Sequence, residues 1–292
     1  MSRPCVSIIM GSHNPANPQQ LFDAVRSIQC QTWPHWELLL CDDGSNRTYA
    51  AYLREAAAMD HRIRYICCDR NLGLAHALNL CLKHANGSLI ARMDDDDISE
   101  PERLQKQVQF LLDHPAYAWV GCQAWLFDET GIWGEGSRPE IPQPRDFLKY
   151  SPYIHPSVMF RREVLEEAGG YLVSPLTMRC EDYELFMRLT AAGFQGCNLQ
   201  ENLFCYRESA TCLKKRSLQN CLCEIVIRWQ GFRKLKILSL KTLPYLCKPL
   251  AVYAALHFPH FSQKLRLCRA TDNHVLSHPE KGEVNHESSN IF

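Results

Sequence analysis

Four consecutive aspartates, Asp94-Asp95-Asp96-Asp97, follow a short apolar run. Carboxylates packed this closely repel one another, so fold stability alone does not select them, and a bound cation relieves the repulsion. Their oxygens suit Mg²⁺ or Mn²⁺. A metal held there can grip a diphosphate and neutralise a leaving group. In isolation such a run reads first as a solvated loop, or as acid beside a helix start where the dipole favours it. Two further acidic pairs stand out. Asp42-Asp43-Gly44-Ser45 is turn chemistry, and at a strand end its carboxylates can accept hydrogen bonds from a base or ribose. Glu181-Asp182 suits the first turn of a helix, and either acid could be a general base that deprotonates a hydroxyl. Ser12-His13-Asn14-Pro15 is a loop before a helix or a ligand contact, and both readings stay open. His155, followed by Pro156, reads first as a core or loop histidine and only second as an acceptor-site residue. The chain has no G-x-x-x-x-G-K-S/T loop, no G-x-G-x-x-G and no G-x-S-x-G elbow, which argues against ATPases, dinucleotide enzymes and serine hydrolases.

The elements that must position these residues alternate. Strand patterns at 6–10, 36–41, 63–67 and 88–93 are separated by helical patterns at 21–31, 49–59 and 73–85. This β-α-β-α-β-α-β order predicts an α/β fold with a mainly parallel sheet and helices on both faces. Ligands bind at the carboxyl ends of such strands, where residues 12–14, 42–43 and 94–97 all fall. That position favours the metal reading of the tetrad. Ser99-Glu100-Pro101-Glu102 reads as a capping box opening a helix over 103–113. A strand over 116–127, a mobile Gly/Pro-rich loop over 131–144 and a helix over 180–192 follow, with Glu181 and Asp182 at the start of that helix. Residues 271–292 read as a frayed tail.

Composition bounds the answer. The 292 residues are 46% hydrophobic and 22% charged, an ordinary globular mix that excludes a disordered chain, a collagen or a coiled coil. Fifteen scattered cysteines without a C-x-x-C pair read as buried thiols in a reducing compartment, with neither a disulfide framework nor a zinc site. The opening residues run straight into a strand pattern rather than a signal peptide. No apolar run reaches the roughly 20 residues of a bilayer span. The best, 243–258, is broken by Pro244, Lys248 and Pro249. An intracellular protein, soluble or bound to a membrane surface, is expected. The 32 Lys+Arg and 32 Asp+Glu cancel in total but not in place. Residues 212–270 hold 12 bases and one acid, Glu224, which sets +11 there against −11 elsewhere. Trp229, Phe232, Leu235, Tyr245 and Tyr253 lie among these cations. The mixture suits the headgroup boundary of an anionic bilayer, each cation contributing about 1 kcal/mol that salt screens away. A helical unit packed on the rest of the chain, with a solvated basic face, is the alternative. No nucleic-acid module is present, so no nucleic acid is expected as a partner.

Six stretches in order carry a resemblance. They are residues 6–14 (VSIIMGSHN), 42–45 (DDGS), 71–79 (NLGLAHALN), 91–97 (ARMDDDD), 155–160 (HPSVMF) and 181–183 (EDY). Through them, over roughly residues 5–208, the chain resembles the family 2 glycosyltransferases of bacterial capsule, exopolysaccharide and lipopolysaccharide synthesis. The resemblance implies the GT-A fold, a mainly parallel Rossmann-like sheet flanked by helices. It implies a catalytic domain over 1–210, with a nucleotide-sugar half to about 97 and an acceptor half from 98. A basic amphipathic helical region over 211–270 and a flexible tail over 271–292 would follow. The activity implied is an inverting hexosyl transfer from a nucleotide-sugar, UDP-linked, to a glycan or polyprenyl-linked acceptor. That places the protein in the cytoplasm, peripheral on the inner face of the cell membrane.

By position, Ser12, Asn14, Asp42, Asp43, Asn71, Gly73, Asn79, Asp94 and Asp95 would bind the nucleotide-sugar. Asp94 and Asp96 would form the D-x-D pair on Mn²⁺ or Mg²⁺, Asp96 most directly. Asp182, with Glu181 beside it, would be the catalytic base, and His155 and Arg207 are acceptor-site candidates. Two departures stand out. Ser209 in Tyr206-Arg207-Glu208-Ser209 replaces a histidine of many relatives. Ile225 replaces the glutamine that precedes Arg-Trp in processive synthases, which favours single addition. The alternatives are a nucleotidyltransferase, which would need a basic Gly-rich loop where 11–17 has no cation, and an inactive membrane-surface partner, against which Asp94, Asp96 and Asp182 speak.

Overall fold

The computed structural model describes residues 4–15, 17–208 and 217–257. Ser209, the end of the basic segment and the 271–292 tail lie outside the described residues. The first strand explains the unbroken apolar run. Every residue of β1 (Val6–Ser12) is buried, with Ile9 packed on one face of the sheet and Val6, Ile8 and Met10 on the other. A strand covered on both sides needs no polar alternation. Asn17 caps α1 (Pro18–Gln29), which buries Leu21, Ala24, Val25 and Ile28 along one stripe. Then come β2 (Trp36–Asp42), α2 (Arg47–Ala58), β3 (Ile63–Cys67), α3 (Leu74–His84) and β4 (Leu89–Arg92). These four strands are parallel in the order β3-β2-β1-β4. The side chains of α3 pack on one face, and those of α1 and α2 on the other.

The second half of the chain extends the same sheet. Its elements are β5 (Ile98–Ser99), α4 (Arg103–Asp113), β6 (Trp119–Asp128), β7 (Gly131–Gly136), β8 (Met159–Arg161), α5 (Arg162–Glu167), α6 (Glu181–Ala191) and β9 (Gly196–Arg207). Strand β8 runs antiparallel to both β4 and β6, and β9 returns parallel to β6, completing nine strands among the described residues.

Three local expectations need correction. Residues 131–136 form β7, hairpinned onto β6, rather than a loop. Gly131, at φ 114°, makes the turn, and the glycines that suggested a loop lie along a largely exposed edge strand. Strand β9 was not expected, because Gln200, Glu201 and Asn202 interrupt its apolar pattern where its pairing with β6 shifts register. Ser99 and Glu102 form no capping box. Ser99 is in β5, and the Leu104 amide donates to Gln31 Oε1 at 3.0 Å, so the cap comes from the turn after α1.

The C-terminal helices α7 (Leu218–Lys234), α8 (Leu243–Leu246) and α9 (Lys248–His257) follow. Helix α7 packs on α6 at Gly231, where a Cβ would fall 2.2 Å from Met187 Sδ. Its Ile227 and Phe232 join the core that contains Phe186 and Met187. Arg228 is buried, pairs with Glu224 at 2.9 Å, donates to the Leu148 carbonyl at 3.0 Å and lies over the Tyr183 ring. The outer side of α7 exposes Leu218, Leu222, Val226 and Trp229. Among the described residues no helix is long and apolar enough to cross a membrane.

Candidate active site

Strand β4 ends in Arg92, and the acid tetrad turns over it. Arg92 is buried and ion-paired with Asp94. Ser12, at the end of β1, donates its hydroxyl to Asp95. Asp97 is fully buried and accepts the Arg207 amide through Oδ1 at 2.7 Å, while its Oδ2 has no partner among the described residues. Arg207 Nε also donates to the Asp96 carbonyl at 2.9 Å. Asp94, Asp96 and Asp97 offer carboxylate oxygens within 4.8 Å of one another. Burial first, and repulsion from their neighbours second, push Asp96 up to about 7 and Asp97 well above its usual range. Burial also lifts Asp95 to about 6, against the Ser12 hydrogen bond. Clustered oxygens, one of them orphaned and buried, fit a divalent cation. Asp97 was not singled out as a ligand candidate from sequence, although the run of four pointed to it.

The ends of β1 and β2 bring the expected nucleotide residues together, and their hydrogen bonds shape the loops. Asp42 accepts the Tyr65 hydroxyl at 2.6 Å and the Ser45 amide at 2.8 Å. Asp43 accepts the amides of Leu72 and Gly73, one on each oxygen, at 2.9 and 2.8 Å. Asn71 Oδ1 also accepts the Gly73 amide, at 3.1 Å. Gly44, at φ 72°, lies so close to the 70–71 backbone that a Cβ would sit 2.2 Å from the Arg70 carbonyl carbon. Asn14, also at positive φ, accepts the Asn46 amide at 3.0 Å. Asn79 lies apart from this group. It and His155 meet through Tyr171, which sequence reasoning missed. The Asn79 amide binds the Tyr171 backbone, and the Tyr171 hydroxyl pairs with His155 Nε2 at 2.8 Å. Burial, then the Arg92 charge, depresses His155 well below its ordinary range.

Asp182 is the second residue of α6. Burial, then repulsion from Glu181, raises its carboxyl to about 6, and burial raises Glu181 as well. Arg92 acts electrostatically on both Asp94 and Asp182. Tyr171 and Tyr206 each feel both acids too. Asp182 and the tetrad are therefore within electrostatic reach of the same three side chains. Arg207 is engaged with the tetrad, with Glu129 at 3.6 Å and with the Phe127 ring at 4.3 Å. A carboxyl with raised proton affinity near a cation site can take a proton as a diphosphate departs.

Comparison with known proteins agrees with this arrangement. Residues 7–169 match the family model described as glycosyl transferase family 2. A protein of Bacillus subtilis (strain 168) named as a glycosyltransferase, EpsE, is 40% identical over 85% of this chain and 89% of its own. A β-1,3-galactosyltransferase of Escherichia coli, named for UDP-Gal and α-D-GlcNAc-diphosphoundecaprenol, is 27% identical over 79% of this chain and 84% of its own. The solved mannosyltransferase PcManGT of Pyrobaculum calidifontis, in complex with GDP-Man and Mn²⁺, superimposes with a TM-score of 0.60. That superposition covers 93% of this chain and 81% of that one, at 19% identity. The expected α/β GT-A fold is thus present, and the nucleotidyltransferase alternative falls. With these motifs gathered at one edge of its sheet, the chain belongs to glycosyl transferase family 2.

Proposed function

We propose that this enzyme is an inverting, metal-dependent hexosyltransferase of surface polysaccharide synthesis. It moves one sugar from a UDP-linked donor to a glycan or polyprenyl-linked acceptor. The observation that supports this reading is the cluster of Asp94, Asp96 and Asp97 oxygens, which shares with Asp182 the electrostatic reach of Arg92, Tyr171 and Tyr206. The E. coli relative, named for a UDP-sugar and a diphospholipid-linked sugar, supports the substrate classes. The Mn²⁺ in PcManGT supports the metal.

In this reading Asp94 and Asp96, joined by Asp97, hold Mn²⁺ or Mg²⁺. A cation bound there would neutralise the charge that develops on the departing diphosphate. Ser12 fixes Asp95, and Arg207 fixes the backbone of Asp96 and Asp97. The loops bearing Asn14, Asp42, Asp43, Asn71 and Gly73 receive the nucleoside. Asp182 accepts the proton of the acceptor hydroxyl as that oxygen attacks the anomeric carbon from the face opposite the diphosphate. We place the catalytic domain in residues 1–210. The protein works in the cytoplasm, peripheral on the inner membrane face through 212–270, where Leu218, Leu222, Val226 and Trp229 project outward near Arg233 and Lys234.

The test pairs a thermal-shift screen of UDP-, GDP- and dTDP-sugars, with Mn²⁺ or Mg²⁺, with NMR of the product. A UDP-selective, metal-dependent shift and an inverted anomeric configuration are expected. Retention of configuration would overturn the role given to Asp182.

A further inference from the structure

Asp182 opens into a cavity of about 260 Å³ whose far wall is built by the C-terminal helices. Four cations line it, Lys149, Arg179, Arg228 and Lys248, against two acids, Asp182 and Glu224. Arg228 and Glu224 are paired with each other at 2.9 Å. Beyond that pair, Lys149, Arg179 and Lys248 stand against Asp182 in the lining, with Glu181, on which Arg179 acts, next to it in α6. Lys248, the first residue of α9, donates to the Lys149 carbonyl at 2.6 Å and ties the helix to the loop across the cavity. Neither the Lys149 ammonium nor the Arg179 guanidinium hydrogen-bonds to a described residue, and both are exposed.

A neutral sugar hydroxyl has no use for this excess charge. Cations converging on a half-closed cavity are a means of holding an anion, and the partial enclosure strengthens each contact over its value in open water. We propose that this cavity is an acceptor subsite for an anionic group, phosphate or carboxylate, carried by the acceptor close to the hydroxyl it presents to Asp182. The inference rests on Asp182 being the base. It gives the basic C-terminal segment a second role, because α9 supplies Lys248 to the acceptor site and completes its wall.

The experiment uses the full-length protein saturated with UDP and Mn²⁺, so that the donor site is filled. Octyl diphosphate, octyl glucuronide and octyl glucoside are titrated calorimetrically below their micelle concentrations. At least one anionic probe should bind tenfold or more tightly than the glucoside. Diphosphate alone would assign a phosphate, glucuronide alone a carboxylate. The double variant Lys149→Gln/Arg179→Gln should lose that preference while its UDP titration is unchanged. Equal binding of all three probes, or a preference that survives in the double variant, overturns the proposal. Failure of UDP itself to bind would count against the donor reading instead, and the octyl series still reads the cavity without it.

Discussion

Asn79 grips the backbone of Tyr171 in both directions. Its Nδ2 donates to the Tyr171 carbonyl and its Oδ1 accepts the Tyr171 amide, each at 2.8 Å across 92 residues of sequence. The neighbouring Gly170 packs so tightly that a Cβ would lie 2.4 Å from Asn79 Oδ1. Asn79→Ala strands two backbone groups, an expected loss of about 1–3 kcal/mol. For a chain of this size that lowers the melting temperature by about 2–4 °C per kcal/mol. UDP affinity should hold. A fall in UDP affinity at unchanged melting temperature would instead give Asn79 the nucleotide contact that the family resemblance implies.

The pH profile follows from Asp182. A base must be ionised to act, and this carboxyl titrates at about 6. Transfer measured as kcat/KM should be flat above that pH and fall tenfold per unit below it. Asp182→Asn should remove the limb and lower transfer by about 10²–10⁴, with UDP binding retained. A limb that persists in the variant would assign it to another group.

Asp96 predicts a trade between stability and metal. Its carboxyl is raised from 3.8 to about 7 by burial and its acidic neighbours, so the folded state disfavours the ion. The penalty is absent below the unfolded value, grows as pH rises, and is complete above the folded one. Asp96→Asn should therefore stabilise metal-free protein at pH 8 by up to about 4 kcal/mol, and the gain should vanish in acid. Mn²⁺ should raise the wild-type melting temperature far more than the variant's. Equal responses to Mn²⁺ would remove Asp96 from the ligand set.

Arg228→Ala tests the docking of α7. It strips Glu224 of its guanidinium partner and removes a donor from the Leu148 carbonyl. Breaking a buried pair from one side costs about 3–5 kcal/mol. The denaturant midpoint should fall accordingly, and adding Glu224→Ala should recover part of the loss. A change under about 0.5 kcal/mol is what an exposed residue would give.

Membrane attachment should depend on the outer face of α7. Full-length protein should float with anionic vesicles at low salt and release as salt rises. Leu222→Ser/Trp229→Ala, altering two exposed side chains, should weaken flotation without changing the melting temperature. Undiminished flotation would exclude this face.

The parallel half of the fold was readable because β1, β2 and β4 are almost wholly buried and each helix between the strands has a clear stripe. The tetrad, Asp42-Asp43 and Asp182 stood out because four adjacent acids and two acidic pairs fall at strand or helix ends, although turn and helix-start chemistry accounts for the pairs as well. Tyr171 did not, since a lone tyrosine in an exposed stretch gives no sign that α3 will hold its backbone. Nor did the role of Arg228, whose four-residue spacing from Glu224 looks like an ordinary surface pair until Tyr183 and Leu148 close over it. Strand β9 and the cap of α4 escaped for a shared reason. Both are set by long-range partners, β6 and Gln31, rather than by their own residues.

That borrowed cap has a consequence for how the chain folds. The Leu104 amide waits for a carbonyl oxygen on Gln31, 73 positions earlier. The same Gln31 donates its amide to the Ser99 and Glu100 carbonyls. The turn that leads out of the acid tetrad into α4 therefore takes part of its hydrogen bonding from the turn after α1. It sets only against an α1 already seated on the sheet, as synthesis from the N-terminus would deliver it. The tetrad loop is thus moulded on that surface, and its geometry is inherited from α1 and the turn after it.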